Sequence, residues 1–527
     1  MSGRMKGVGV ADIAKKAGKL IELKVEELMK LPKPYEKISE EFRFMESEDY
    51  VSDLDGFVAI DIEWKPKSKE EENLLVSKFM TALKKLLDKE ANWTFLYPLL
   101  LSLDYCTRCK SCSSACHVYL GSGRKEIYRP TYRAEVLRRV LNSQRGKFRA
   151  KIWGSIEPNS KLVLRLAELA YRCNLCRRCV QFCPLGIDNG LIAREIRKLF
   201  SQELGIAPKA LHSQGSIKHL KTGSSTGLTP EGFRDIIRFL EEETFEKTGR
   251  KIKIPVDEKG SEILLVHNAG DFLTRPENVI AFAILFEEAG LDWTLTSEAV
   301  GYDAVNYGVW YDDIQLARIA LRHIEIAKKL EVEKIVVGEC GHAHKAFLVL
   351  ADRVIPDGDM VPRESCIPIL WDLVRNKLNL DPTKNDFPVT LHDPCNIVRL
   401  SGIVEPQRKI LRKVCPQFRE MEPNGVYNYC CGGGGGLAII NSLNFPEFRN
   451  RISSRVKFSQ ILNAFKNSLG PEKRNFVCAP CSNCRSTLRD LFESYKAREK
   501  CGIQHCGLAE LIANALVDTK SSFLNHS

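Results

Sequence analysis

The pattern of apolar and polar positions divides the chain into two textures. From Ser261 onward, short wholly apolar runs alternate with longer stretches of helical period. The runs are EILLVH (262–267), KIVVGE (334–339), PVTLHD (388–393) and NFVCAP (475–480). Runs of this length without alternation suit strands covered on both faces. Between them, NVIAFAILFEEAG, IQLARIALRHIEIAKKL and FRNRISSRVKFSQILNAF repeat apolar residues at helical spacing. The alternation predicts an α/β layer structure with largely parallel strands. The first half reads differently. Residues 1–95 are charged and helix-prone, with LIELKVEELMKL as an amphipathic stretch. Residues 96–205 predict a helical module, in which TYRAEVLRRVL and LVLRLAELAYRC carry the helical period. Residues 206–258 are rich in Gly, Ser, Pro and Lys and predict a linker with a short helix.

The second half matches itself. LLVHNAG (264–270) aligns with VTLHDPC (389–395), which sets His267 on His392. KIVVGECGHA (334–343) aligns with NFVCAPCSNC (475–484), which sets Cys340 on Cys481. The matches come in the same order and predict two pseudo-duplicated lobes, 259–385 and 386–520.

Cysteine then fixes the chemistry of the helical module. Cys106-x2-Cys109-x2-Cys112-x3-Cys116 and Cys173-x2-Cys176-x2-Cys179-x3-Cys183-Pro184 are two bacterial ferredoxin runs. The spacing lets three thiolates of one loop grip a cubane [4Fe-4S] cluster, while the fourth reaches the other cluster. Cys106, Cys109, Cys112 and Cys183 are therefore expected on one cubane, and Cys173, Cys176, Cys179 and Cys116 on the second. Zinc prefers paired CxxC ligands and fits this spacing poorly. The first run departs from the pattern in ending Cys116-His117, without the usual proline.

A second constellation follows strands of the last lobe: Cys395, Cys430-Cys431-Gly432 with four further glycines to Gly436, and Cys478-x2-Cys481-x2-Cys484. Ligands of α/β folds gather at such strand ends. Vicinal cysteines diverge, so they suit a group of several metals better than one tetrahedral ion; a vicinal disulfide is the alternative. The glycines would let backbone approach that group closely. No Lys-Ser/Thr follows them, which argues against a phosphate loop.

The set Cys395, Cys430, Cys431, Cys481 and Cys484 resembles the CCG domain of the heterodisulfide reductase family. Together with the ferredoxin runs, it is similar to the HdrD-type and DsrK/HmeD-type catalytic subunits of that family. The resemblance implies a noncubane [4Fe-4S] cluster on those five cysteines, beside the two cubanes, and a heterodisulfide reductase-like thiol–disulfide oxidoreductase. It implies a DsrC-like small protein disulfide or trisulfide as substrate. It also implies docking to a membrane haem b (DsrM-like) subunit that exchanges electrons with menaquinol. Cys478-x2-Cys481 is a competing frame; Cys481 and Cys484 match the other lobe better. That first lobe has lost its set, with Gly270 and Ala343 where Cys395 and Cys484 stand, and Cys340 alone kept. One special cluster is expected, not two. Cys340 is a candidate for binding substrate sulfur or for an extra ligand. His342, His344, His392 and Lys345 are candidate proton donors, each with an alternative as plain structure. Arg399 either steers an anionic substrate or is a surface residue. Cys366, Cys415, Cys501 and Cys506 match no motif and read as packed thiols. The competing function is a non-catalytic electron relay serving a glycolate, lactate or glycerol-3-phosphate oxidase.

Composition narrows the setting. A length of 527 residues allows two to four domains, and an apolar fraction of 44% supports ordinary cores. The start lacks the apolar segment of a signal peptide, so the 19 cysteines read as reduced, cytoplasmic metal ligands. The longest apolar stretch, near Thr94–Leu103, falls short of the roughly 20 residues that span a bilayer. The net charge of +11 could suit nucleic acid. Its distribution argues otherwise: Arg108, Lys110, Arg124, Lys125, Arg172, Arg177 and Arg178 crowd the ferredoxin runs, where cations offset anionic clusters. An acidic partner surface or anionic lipid is the other use of this charge.

Overall fold

The structure, a computed structural model, describes residues 60–62, 64–92, 94–144, 146–298, 303–441, 445–518 and 524. The amphipathic stretch at 20–31 lies outside the described residues. The four apolar runs form the inner strands of two parallel sheets. In the first sheet β1 (Ile263–Val266) and β3 (Lys334–Val337) are flanked by β2 (Trp293–Thr294) and β4 (Arg363–Ser365), in the order β2-β1-β3-β4. In the second, β5 (Val389–Leu391) and β7 (Asn475–Cys478) are flanked by β6 (Phe418–Arg419) and β8 (Ile503–Cys506), in the order β6-β5-β7-β8. All neighbours are parallel. The two connectivities are the same. In each, the winding reverses between the inner strands, which opens a crevice beyond their carboxyl ends. Into the first crevice lead His267 and Cys340; into the second lead His392–Cys395 and Cys481.

The expected helices cover the sheets. Pro276–Glu288 is apolar on nearly every side and is buried accordingly. Asp313–Lys329 starts on Asp312, whose side chain accepts from the backbone N–H of Ile314 and Gln315. One expectation needs correction. Within 206–258, predicted to be a linker with a short helix, lies the 19-residue helix Pro230–Thr248. Its Phe233, Ile237 and Leu240 are buried at helical spacing, and Phe233 packs edge-on against Phe272, 5.0 Å between ring centres. The glycines that suggested a linker sit at its flanks, such as Gly227 and Gly249, where φ is positive.

The helical module comprises, among others, Leu96–Asp104, Pro130–Gln144, Ser160–Tyr171 and Asn189–Lys198. It shares one apolar core with the first lobe: Leu137, Leu166 and Ile196 belong to the same cluster as Val309, Trp310 and Val337. Buried ion pairs from Arg194 and Lys198 to Asp313 fasten the same junction. Among the described residues, no helix is long and apolar enough to cross a membrane.

Candidate metal centre

Both ferredoxin runs fold by the same rare backbone device. Arg108 and Lys110, two and four residues after the first cysteine, have φ of 57° and 65°. Leu175 and Arg177, in the same places of the second run, have φ of 51° and 57°. Non-glycine residues seldom hold this left-handed conformation. Here it coils the chain so that successive cysteines face one point. Cys112 lies among Cys106, Cys109, Cys183 and Cys116; burial, then those neighbouring thiolates, push its thiol up to about 12. Burial pushes Cys116 up to about 11, with Cys173 and Cys176 adding to it. The structure thus sets Cys183 beside the first run and Cys116 beside the second. Cys179, raised mainly by burial, neighbours Cys173, Cys176 and also Cys112, so the two groups adjoin. Thiols that cannot ionise together without a cation are the donor set an iron–sulfur cluster requires.

The crevice of the second sheet gathers the other five. Cys395 opens the turn after β5. Cys481 precedes the helix Ser482–Ser494, which carries Cys484 in its first turn. The Cys430 thiol meets Cys395 and Cys431, and Cys431 meets Cys484 and His392. Cys481 meets Cys484 and accepts from the backbone N–H of Gly341 at 3.2 Å. Hydrogen bonds from Cys430 and Cys484, with His392 alongside, hold the Cys431 thiol well below its usual range. Cys478 is elsewhere. It pairs in register with Cys506 across β7 and β8, meets that thiol, and has Cys415 nearby. The five converging sulfurs fit a multi-iron group, and Cys478 lies outside them.

The glycine run serves a junction that sequence reasoning did not foresee. A Cβ on Gly434 would stand 2.6 Å from the carbonyl oxygen of Asn174, and one on Gly435 (φ 66°) 2.8 Å from that of Cys173. The loop therefore lies on the backbone of the second ferredoxin run. Arg197 ties both sides, donating to Gly435 O at 2.6 Å and Cys173 O at 2.7 Å. Arg399 neither steers from the surface nor floats free. It donates to Cys176 O at 2.9 Å and Val426 O at 2.6 Å. At this seam the thiols of Cys176 and Cys430 touch.

The candidate proton donors are spread more widely. His392 is buried within reach of Cys431 and Cys484, and burial lowers its pKa. Lys345 lines a cavity of about 320 Å3 with Arg177, Asp188 and Leu400; burial pulls its pKa to about 7, with Arg194 and Arg177 adding to the effect. His342 accepts from Asn306 N–H at 3.0 Å beneath Trp310. His344 spends both ring nitrogens, on Cys340 O and Ser365 Oγ. Cys340 lies near Cys481. Its thiol accepts from Ala343 N–H at 3.4 Å, and burial, then Cys481, push it up. Lys457 was missed. It is buried beside Cys430 and Cys431, donates to Asn428 Oδ1 at 2.6 Å, and burial lowers its pKa to about 7. The signal was its place one turn before Ile461 on the buried face of Arg455–Ala464.

Comparison with known proteins agrees with this geometry. Residues 102–187 match the 4Fe-4S dicluster domain, and residues 389–489 match the cysteine-rich CCG domain. The chain is 26% identical over 483 residues to Hdr-like menaquinol oxidoreductase iron-sulfur subunit 2 of Archaeoglobus fulgidus, covering 84% of this chain and 83% of that protein. A counterpart from Archaeoglobus profundus is 25% identical, covering 79% and 80%. The D-type subunit of the dihydromethanophenazine:CoB--CoM heterodisulfide reductase of Methanosarcina acetivorans is 25% identical, covering 76% and 91%. No solved structure shows a significant match. Two ferredoxin runs joined to a CCG lobe, shared with relatives over most of the chain, place this protein in the HdrD/DsrK-type heterodisulfide reductase family of iron–sulfur oxidoreductase subunits.

Proposed function

We propose that this chain passes electrons through two ferredoxin-type [4Fe-4S] clusters to a noncubane [4Fe-4S] cluster in the CCG lobe, where a disulfide or trisulfide is reduced or formed. The observation that carries the reading is the position of Cys430, which meets Cys176 of the relay on one side and Cys395 and Cys431 on the other. The clusters would supply single-electron steps, which the two-electron chemistry of an S–S bond requires in pairs. Cys106, Cys109, Cys112 and Cys183 would hold the first cubane, and Cys173, Cys176, Cys179 and Cys116 the second. Cys395, Cys430, Cys431, Cys481 and Cys484 would hold the third group. The chain's own side chains do the rest. Arg399 and Arg197 hold relay and site in register. His392, beside Cys431, and Lys345, in the neighbouring cavity, can each hold a proton for a departing thiolate. Cys340, His342 and His344 act in this reading as caps and packing.

The same strand order in both sheets supports two lobes of common ancestry, 259–385 and 386–520, with the helical ferredoxin domain at 96–205. The partners proposed are a membrane haem b subunit that exchanges electrons with menaquinol, and a DsrC-like thiol protein, with the chain peripheral on the cytoplasmic face of the membrane. The names of the Archaeoglobus relatives support the menaquinol partner. Iron and sulfide analysis with EPR tests the reading. About twelve irons, with a signal in the oxidised protein that responds to thiol, are expected. About eight irons and only reduced-ferredoxin signals would make the chain a plain relay.

A further inference from the structure

The residue in the place of the missing proline is His117, and it is buried. Its Nε2 lies 2.8 Å from Asn174 Oδ1. The orientation of that amide is set by its surroundings. Asn174 Nδ2 donates to Gly432 O at 2.6 Å and faces Gly434 O at 3.4 Å, and Ser453 Oγ donates to Oδ1 at 2.8 Å. Backbone carbonyls only accept, so the amide nitrogen faces them and its oxygen faces the ring. Nε2 therefore carries the ring proton, and Nδ1 keeps its lone pair. Nδ1 faces Cys176 Sγ at 4.0 Å. A ring nitrogen of His117 and the sulfurs of Cys176 and Cys430 all lie within 4.8 Å of one another.

A lone pair aimed at an ionised sulfur is repelled; a metal between the two reverses the sign. A separation of 4.0 Å can be bridged by one ion, since bonds of roughly 2.0–2.3 Å run to each donor. An N–H held by a carbonyl, with the other nitrogen turned to the donor set, is how metal-binding imidazoles are oriented. We propose that His117 Nδ1 is a nitrogen ligand to iron in the cluster held by the second ferredoxin run, beside Cys176 and at the seam with Cys430. This rests on the iron–sulfur reading above. Asn174 is the positioning residue that fixes the tautomer, and through Gly432 it ties the ligand to the CCG loop.

The test uses the full chain with its clusters, labelled with 15N-histidine and reduced, and measures pulsed EPR and iron content on one sample. A strong nitrogen coupling on one cubane signal is expected. It should change with the label, vanish in His117→Ala and persist in His392→Ala. His117→Cys should keep the iron and make that cluster at least tenfold harder to reduce, a fall of about 59 mV, because nitrogen ligation raises the potential. Cubane signals without a histidine coupling would overturn the assignment and leave the relay intact. So would a coupling that survives in His117→Ala. Should that variant not fold, the label in the unaltered chain and His392→Ala decide. A chain with no cluster signal at all would overturn the reading beneath as well, and the iron content separates that outcome from the others.

Discussion

The two lobes share a strand order and differ in what their crevices hold. Beyond β5 and β7 stand Cys395 and Cys481, joined by Cys430, Cys431 and Cys484. Beyond β1 and β3 the same places hold packing and charge. His267 lies between Phe272 and Phe282, with ring centres 5.7 and 5.2 Å away. Asp271 and Glu339 of the first lobe reach across to Arg485, the residue after Cys484, at 3.2 and 2.8 Å. Glu339 O accepts from Ser482 N–H at 2.7 Å, and Arg275 donates to Ser482 Oγ and Ser486 Oγ. The first lobe thus grips the helix that carries Cys481 and Cys484. One scaffold carries the sulfur ligands, and its counterpart, having lost them, holds two of them in place.

The sharpest way to break this contrast is Cys431→Ala. Disulfide turnover should vanish and the iron of one cluster should go with it, while both cubanes still reduce; EPR and iron analysis read both. Loss of the cubane signals too would show that relay and site are not separate. Next in size is Arg485→Met. It leaves Asp271 and Glu339 buried without their shared cation, and breaking a buried pair costs about 3–5 kcal/mol. Denaturant unfolding should show that loss, and the signal from the CCG site should broaden before the cubane signals change. A variant as stable as the parent would mean that the first lobe does not clamp the second.

The sequence carried this contrast only in part. The inner strands were legible because each is a run of apolar residues covered on both faces. The outer strands β2, β4 and β6 have two or three residues each, and β4 and β6 are partly exposed. Their pairing is imposed by the neighbouring strand and leaves no pattern in their residues. Spacing marked the cysteines, since ligands to one group must recur at fixed intervals along a loop. Asn174, Arg399 and the glycine run left no such mark. Asn174 meets Gly432 across 258 positions, and Arg399 meets Cys176 across 223. Contacts at that range are set by how domains dock, which local periodicity does not encode.

Acid offers a milder separation of the lobes. Burial lowers the pKa of His267 to about 4, against 6.5 for an exposed histidine. As pH falls below 6.5, the unfolded chain takes up the proton first, so stability is lost on the way down towards pH 4. Between about pH 6.5 and 4.5 the loss from this residue is about 2 kcal/mol. In His267→Leu the thermal midpoint should fall less over that interval than in the parent. An equal fall in both would show that the first crevice holds no proton-linked energy.

The smallest effect expected is at Cys340, the cysteine left in the first crevice. Its thiol accepts from Ala343 N–H as a helix cap and stays protonated, pushed up by burial and by Cys481. A thiol held that way serves packing. Cys340→Ala should cost about 1 kcal/mol, the usual worth of a cap, with iron content, EPR signals and turnover unchanged. The contrast between the lobes is most exposed here, because Cys340 is the one residue that could still make the first crevice a partner in the chemistry. If the alanine variant loses iron, or keeps it and loses turnover, the first lobe is a contributor to the site and not its clamp, and the asymmetry between the two sheets becomes one of degree.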